Sequence, residues 1–387
     1  MNILYIAPIA TRSGYGDKAR DFATYLFNKH ENETLNILST RWGSCSLDGL
    51  STDSESDSRI LQHILDNPPR TTPDILYHMT LPNEFKQLGK YNIGITSGVE
   101  VDKCPDSFIQ GCNQMNLVIV PSTFTKQTIM DTKCSDGTTC TTPIEVVFEG
   151  YDSSIVSPST DVEMSTTLDG IEEDFCFLSV GQWASIADRK NLKGLVKIFN
   201  ETFKNEKKAP ALVLKVYGTS HCTTDELDIK NQIYSLLNNE SNHVPIYVIY
   251  GNVTTNEMST MYTHNKIKCM ISLTRGEGFG RPLLEASVNG LPIIASKWSG
   301  HLDFLNKKYC KLLPGSYITA TGLGELAPAD AKWFDVDLGN VSTELIDMVN
   351  RYDIHKKRAD TLQKINYKNY SIESMYTAYD NVLSKYI

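Results

Sequence analysis

Short apolar runs recur along this chain, and between them lie longer segments whose apolar residues return every three or four positions. In the first part the runs are NILYIAP, TLNILS, DILYHM, YNIGIT, NLVIVP and IEVVFE; in the second they are FCFLSVG, ALVLKVYG, PIYVIYG, Cys269 to Leu273 and LPIIAS. A strand apolar on both sides is buried on both faces, and alternation with helices is how a parallel sheet covers itself. KARDFATYLFNKH shows the helical half, with Ala19, Phe22, Ala23, Leu26 and Phe27 on one stripe. The expected fold class is α/β.

Three hundred and eighty-seven residues are enough for two cores of ordinary size. Asp152 to Asp174 is poor in apolar residues and rich in Ser, Thr and Asp, which reads as the linker between them. The division expected is 1–165, 172–365, and a C-terminal helix over 366–387. That helix carries Ile372, Met375, Tyr376, Tyr379 and Val382. The serine- and aspartate-rich run from Ser44 to Ser58 reads as a surface loop.

Composition narrows the function classes. The chain is 41% hydrophobic and 21% charged, and no apolar run approaches the roughly 18 residues of a membrane span. No integral membrane association is expected. MNILYIAPIA lacks a basic leader and reads as a buried strand rather than a signal peptide. Nine cysteines, without CxxC pairs, fit free thiols in a reducing, cytoplasmic setting, although Cys134 and Cys140 flank a loop that a disulfide could close. A net charge of −9 argues against non-specific nucleic-acid binding. HExxH, Walker and GxSxG sequences are absent, which disfavours protease, NTPase and hydrolase-elbow chemistry.

The densest chemistry is GEGFGRPLLEAS, from Gly276 to Ser287, between two of the strands. Pro282 suits the first helical position, Gly290 a left-handed cap, and Glu285 then falls in the first turn. The helix N-terminus offers free N–H groups to an anionic ligand, and Gly278 and Gly280 let the backbone come close. Glu277 and Glu285 would repel a phosphate, so hydroxyl groups, as on sugar rings, suit them better; an acidic first turn on an ordinary βαβ helix is the plainer alternative. Arg189 and Lys190 precede another helix, where they would clamp a diphosphate or form a solvated charge pair. Gly14 and Gly16 follow the first strand in a turn. His78 ends a strand and Glu100 follows another, either as site residues or as packing and capping groups.

GEGFGRPLLEA followed by GLPIIASKWSGHLDFL resembles the signature of the retaining glycosyltransferases of family 4 (glycosyl transferases group 1). The resemblance implies a GT-B architecture: two Rossmann-like domains with a cleft between them, the first for the acceptor and the second for the nucleotide-sugar, with the last helix crossing back. It implies transfer of a hexose-type sugar from a GDP- or UDP-linked donor to a glycan or glycoconjugate, with retention of configuration and without a metal or other cofactor. In that reading Glu277 contacts the transferred sugar, Lys190 and Arg189 hold the diphosphate, since RKN resembles the family's RKG, and Glu285 holds the ribose. Gly278, Phe279 and Gly280 line the donor, Gly14 and Gly16 lie near its phosphates, and Asn252 sits in the loop that recognises the base. Gln182 stands where the family has an arginine, which removes one phosphate contact. His78 and Glu100 are the acceptor-side candidates. Asp335 and Asp337 have the DxD spacing of a metal site, but follow a Trp-Phe pair instead of a strand run and are left out. A sugar-nucleotide epimerase or hydrolase, or a non-catalytic nucleotide-sugar binder, are the alternatives.

Overall fold

A computed structural model describes residues 1–156, 161–184, 187–218, 223–238 and 243–387. The chain forms two compact units: residues 1–149, 324–331 and 372–387 make the first, and residues 150–323 and 332–371 the second.

The first unit runs β1 (Asn2–Ala7), α1 (Gly14–Lys29), β2 (Thr34–Ser39), α2 (Glu55–His63), β3 (Ile75–Met79), β4 (Tyr91–Ile95), α3 (Asp106–Asn113), β5 (Leu117–Val120), α4 (Thr123–Asp131) and β6 (Ile144–Val146). Its sheet is parallel in the order β2-β1-β3-β4-β5-β6. The order reverses between β1 and β3, so the loops beyond their carboxyl ends diverge and open a crevice there. Helix α1 begins at Gly14, earlier than its apolar stripe, because the Ser13 side chain accepts the Gly16 N–H. A Cβ on Gly16 would lie 2.0 Å from the Thr11 carbonyl oxygen, so only glycine lets this turn close.

The second unit runs α5 (Val162–Asp169), β7 (Cys176–Gln182), α6 (Leu192–Phe203), β8 (Ala211–Tyr217), α7 (Thr223–Leu236), β9 (Ile246–Tyr250), α8 (Thr255–Thr263), β10 (Ile267–Ser272), α9 (Arg281–Val288), β11 (Ile293–Ser296), β12 (Lys311–Leu313), β13 (Gly315–Thr319), β14 (Lys332–Val336), α10 (Leu338–Asn350) and α11 (Tyr352–Asn369). Its parallel sheet has the order β12-β11-β10-β7-β8-β9, which reverses between β7 and β10. The last helix, α12 (Ile372–Leu383), belongs to the first unit. Its Met375, Tyr379, Val382 and Leu383 are buried in one core with Tyr5, Phe22, Tyr25 and Leu26. The Tyr379 ring lies 4.8 Å from Phe22 and 5.2 Å from Tyr25.

The α/β class expected from the apolar runs is the one observed. Three local readings change. The segment read as a linker contains α5, capped by Asp161 and anchored by buried Met164 and Leu168; Ser, Thr and Asp favour helix caps as much as loops. Residues 157–160 of that segment lie outside the described residues. Within the Ser44–Ser58 run, Ser54 caps α2. The Trp333-Phe334 pair lies in β14, paired antiparallel with β13. The eight described cysteines are free, Cys134 and Cys140 among them, and Cys222 lies outside the described residues. Among the described residues no helix is long and apolar enough to cross a membrane.

Candidate active site

In the second unit the sheet order reverses between β7 and β10, and the loops leaving those two strands are laced together. The Arg275 N–H donates to the Arg189 carbonyl at 2.7 Å, and the Arg275 guanidinium donates to the Asp188 carbonyl at 2.9 Å. In return the Arg189 guanidinium donates to the Gly276 carbonyl at 2.5 Å. Asp188 accepts the Leu192 N–H at the head of α6. Asn191 before that helix adopts φ +53°, a left-handed conformation that asparagine and glycine tolerate best. This explains an asparagine where the resembled pattern has glycine.

The lacing brings Lys190, Arg189 and Glu277 together. Lys190 Nζ lies 2.5 Å from one carboxylate oxygen of Glu277, and Arg189 lies 3.3 Å from the other. Burial pushes the Glu277 carboxyl up, but Lys190 and then Arg189 more than offset this and hold it at about 2. Glu277, 7% exposed, is therefore an ionised acceptor between two cations. Gly181 on β7 has no side chain to obstruct Lys190, whose Cγ would lie 3.1 Å from a Cβ there.

A third loop, following β11, closes on the motif. The Glu277 N–H donates to Ser299 Oγ at 2.9 Å, and the Gly300 N–H to the Glu277 carbonyl at 3.0 Å. Ser299 holds φ +82°, a conformation costly for a residue with a side chain and found where function fixes the backbone. Gly280 caps α9 at φ +99°, and a Cβ there would press on His301 Cβ at 3.1 Å. His301 is fully buried. Its Nε2 is 2.7 Å from the Ser296 carbonyl and so carries the proton, while Nδ1 has no partner among the described residues. Sequence reasoning quoted SGHLDFL but passed over Ser299 and His301. The signal was a pair of polar residues just beyond a buried strand.

Other expected residues fall differently. Glu285 lies in the second turn of α9, not the first, because the helix starts at Arg281 and Pro282 takes its second position. It accepts from Tyr262 at 3.0 Å and from Arg281 at 3.3 Å. Phe279 is buried against Phe304 at 5.1 Å, so its role there is packing. Gly278 lies in the loop itself. Gln182 ends β7 opposite Tyr217, and Asn252 is exposed beyond β9. Asp335 is paired with Arg275 at 2.8 Å, and Asp337 caps α10.

Gly14, Gly16, His78 and Glu100 belong to the first unit. His78 is 4% exposed and accepts the Lys86 N–H on Nδ1 at 3.2 Å. Burial, with Lys86 nearby, lowers it to about 4. Near the N-terminus of α1, the Tyr15 hydroxyl accepts the Ser97 N–H at 2.8 Å and lies 3.2 Å from Thr96 Oγ1. Burial raises the Tyr15 hydroxyl to about 12, with Glu100 adding to the rise. Lys18 and Glu149, 3% and 8% exposed, form a buried ion pair beside Ser97. That pair, far apart in sequence, went unread.

Comparison with known proteins bears on the fold that carries these residues. Residues 169–322 match the family model of glycosyl transferases group 1. Among solved structures the chain is similar to Anabaena HepE in complex with UDP and glucose (11% identity over 100% of both chains, TM-score 0.63). It is similar to a glycosyltransferase from Rickettsia africae (14% identity over 99% of this chain and 97% of that one, TM-score 0.65). The sucrose-phosphate synthase of Thermosynechococcus elongatus matches at 10% identity over 99% and 98%, with a TM-score of 0.66. These are GT-B glycosyltransferase folds, and this chain has that fold. No curated protein matches it.

Proposed function

We propose that this protein is a retaining glycosyltransferase that moves a hexose-type sugar from a nucleoside diphosphate donor to a glycan or glycoconjugate acceptor. The observation that carries the reading is the Lys190–Glu277–Arg189 cluster at the point where the second sheet reverses, beside the N-terminus of α9. Two cations and a helix terminus suit a diphosphate, and a carboxylate that stays ionised suits the hydroxyls of a sugar. The family match over residues 169–322, and a similar structure holding UDP and glucose, support the same donor class.

In the proposed reaction the bond from the sugar's anomeric carbon to the diphosphate breaks as the bond to the acceptor oxygen forms. The nucleoside diphosphate leaves, and its phosphate takes the acceptor's proton on the same face. Lys190, Arg189 and the α9 terminus meet the growing negative charge with preorganised groups, and Glu277 orients the sugar ring. Glu285 would hold the ribose after exchanging Arg281 or Tyr262 for its hydroxyls. Because protein cations do this work, the reaction is proposed to need no metal. A reducing, cytoplasmic setting is part of the proposal, in keeping with nine cysteines that form no CxxC pair in the sequence.

Incubating the protein with UDP- and GDP-sugars, with and without glycan acceptors, tests the reading. Transfer that depends on acceptor is expected, with proton NMR of the first product showing retained configuration. Release of free sugar alone, epimerised donor, or activity abolished by EDTA and restored by manganese would overturn it.

A further inference from the structure

The first unit carries an aromatic pair that the donor chemistry does not use. Tyr15 lies in the first turn of α1, and Trp42 stands in the loop after β2. Their rings stack with centroids 3.8 Å apart and planes at 22°, and both are only partly buried. Each ring is held. Tyr15 is tied through its hydroxyl to Thr96 and the Ser97 N–H beyond β4. The loop bearing Trp42 is fastened to the β1 loop by the Arg12 N–H to the Ser46 carbonyl at 3.0 Å and the Gly49 N–H to the Ala10 carbonyl at 2.9 Å. A rigid aromatic face left partly open to water is an apolar surface already ordered before anything binds.

Polar groups of an unusual kind share the same carboxyl edge. Lys18 and Glu149 are charged and almost wholly buried, which is costly unless they are well paired. They are not: Lys18 to Glu149 is 3.5 Å, Lys18 to Ser97 Oγ is 3.4 Å, and Ser97 Oγ to Glu149 is 3.4 Å. Charge-assisted hydrogen bonds are nearer ~2.8 Å. Of the three, Ser97 is the one partly open to a ligand, with the ion pair held behind it.

We propose that Trp42 and Tyr15 form a saccharide-binding platform. One pyranose ring of the acceptor lays its C–H face on the aromatic pair, and its hydroxyls meet the partly exposed Ser97 beside it. The inference rests on the glycosyltransferase reading for the word acceptor, but the platform itself is a binding site that can be tested alone. Saturation-transfer NMR with the methyl glycosides of glucose, galactose, mannose and N-acetylglucosamine, and with maltose, is expected to show ring C–H contacts in the wild type. Trp42→Ala should weaken the bound saccharide by about tenfold, and Trp42→Phe should restore part of it. Trp42→Leu, which keeps an apolar contact on Tyr15, guards against misfolding, and UDP and GDP affinities measured alongside report an intact second unit. Saccharide signals absent from the wild type, signals unchanged in the Trp42 variants, or displacement of all signals to UDP and GDP would each overturn the platform. A protein that binds saccharide through Trp42 yet transfers no sugar would sink the glycosyltransferase reading and leave the platform standing.

Discussion

Glu277 holds both Lys190 and Arg189 in ion pairs, so in the proposed reaction it competes with the diphosphate for them. Replacing it with glutamine keeps the shape and releases both cations. Glu277→Gln should therefore bind UDP or GDP at least as well as the wild type, while turnover falls by on the order of a hundredfold or more. Lys190→Ala should instead weaken nucleotide binding by roughly ten- to a hundredfold, since a charged hydrogen bond contributes about 1.5 to 3 kcal/mol. Calorimetry and initial rates on both variants check this, and equal losses of affinity would refute the division of roles. Two buried groups, His78 and Glu277, shape the acid response. His78 sits at about 4 in the native state against an ordinary 6.5, so below that value the unfolded chain takes a proton the native one refuses. Its contribution is present above 6.5 and drains away as pH falls towards 4, by up to about 1.4 kcal/mol per pH unit. Glu277, at about 2 against 4.5, has the same sign and loses its contribution between those values. Urea titrations at several pH values should show the upper leg flattened in His78→Asn, whose side-chain oxygen can accept the Lys86 N–H; an unchanged slope would contradict the assignment. Of these residues the glutamate and the basic pair were legible because short motifs carry them. The partners of Glu277 on Ser299, and the Lys18–Glu149 pair, were not, since contacts across such distances leave no spacing to read.

Elements show why some spans were readable and others were not. Buried strands announced themselves through apolar runs, because both faces of a parallel sheet are covered. Helix starts were harder: the Ser13 cap and the Gly16 contact with Thr11 extend α1 beyond its apolar stripe, and Asp161 turns an apparently loop-like stretch into α5. Asp337 is the sharpest case. Its spacing from Asp335 suggests a cation, yet its carboxylate accepts the Gly339 N–H at 2.9 Å at the head of α10, while Asp335 faces Arg275. Asp337→Ala should lower stability by about 1 kcal/mol, the usual effect of losing such a cap. Sugar transfer by that variant should be as indifferent to added manganese as in the parent. A metal-dependent defect in rate, measured across a manganese titration, would restore the cation reading.

At the scale of the molecule, the first unit is drawn from three separated stretches of sequence, and α12 is part of its core. Tyr379→Ala should cost about 3 to 5 kcal/mol, as for other large buried rings. Removing residues 372–387 should unfold much of that unit. Hydrogen exchange is expected to show β1, α1 and β3 losing protection while β7, β8 and β10 keep theirs; retained protection throughout would show that α12 is dispensable. The C-terminal stripe of Ile372, Met375, Tyr376, Tyr379 and Val382 was visible in the sequence, but which core it completes depends on shape complementarity with Phe22 and Tyr25. That arrangement also bears on how the chain is born. A ribosome delivers the first strand early and α12 only after the stretches of the second unit, so the unit begun first cannot be finished until those have been made. Nearly all of the second unit has emerged by then and can settle while its predecessor waits with an open core. Order of completion thus inverts order of synthesis, and a chain cut short before α12 would be one whose oldest part is left unfolded.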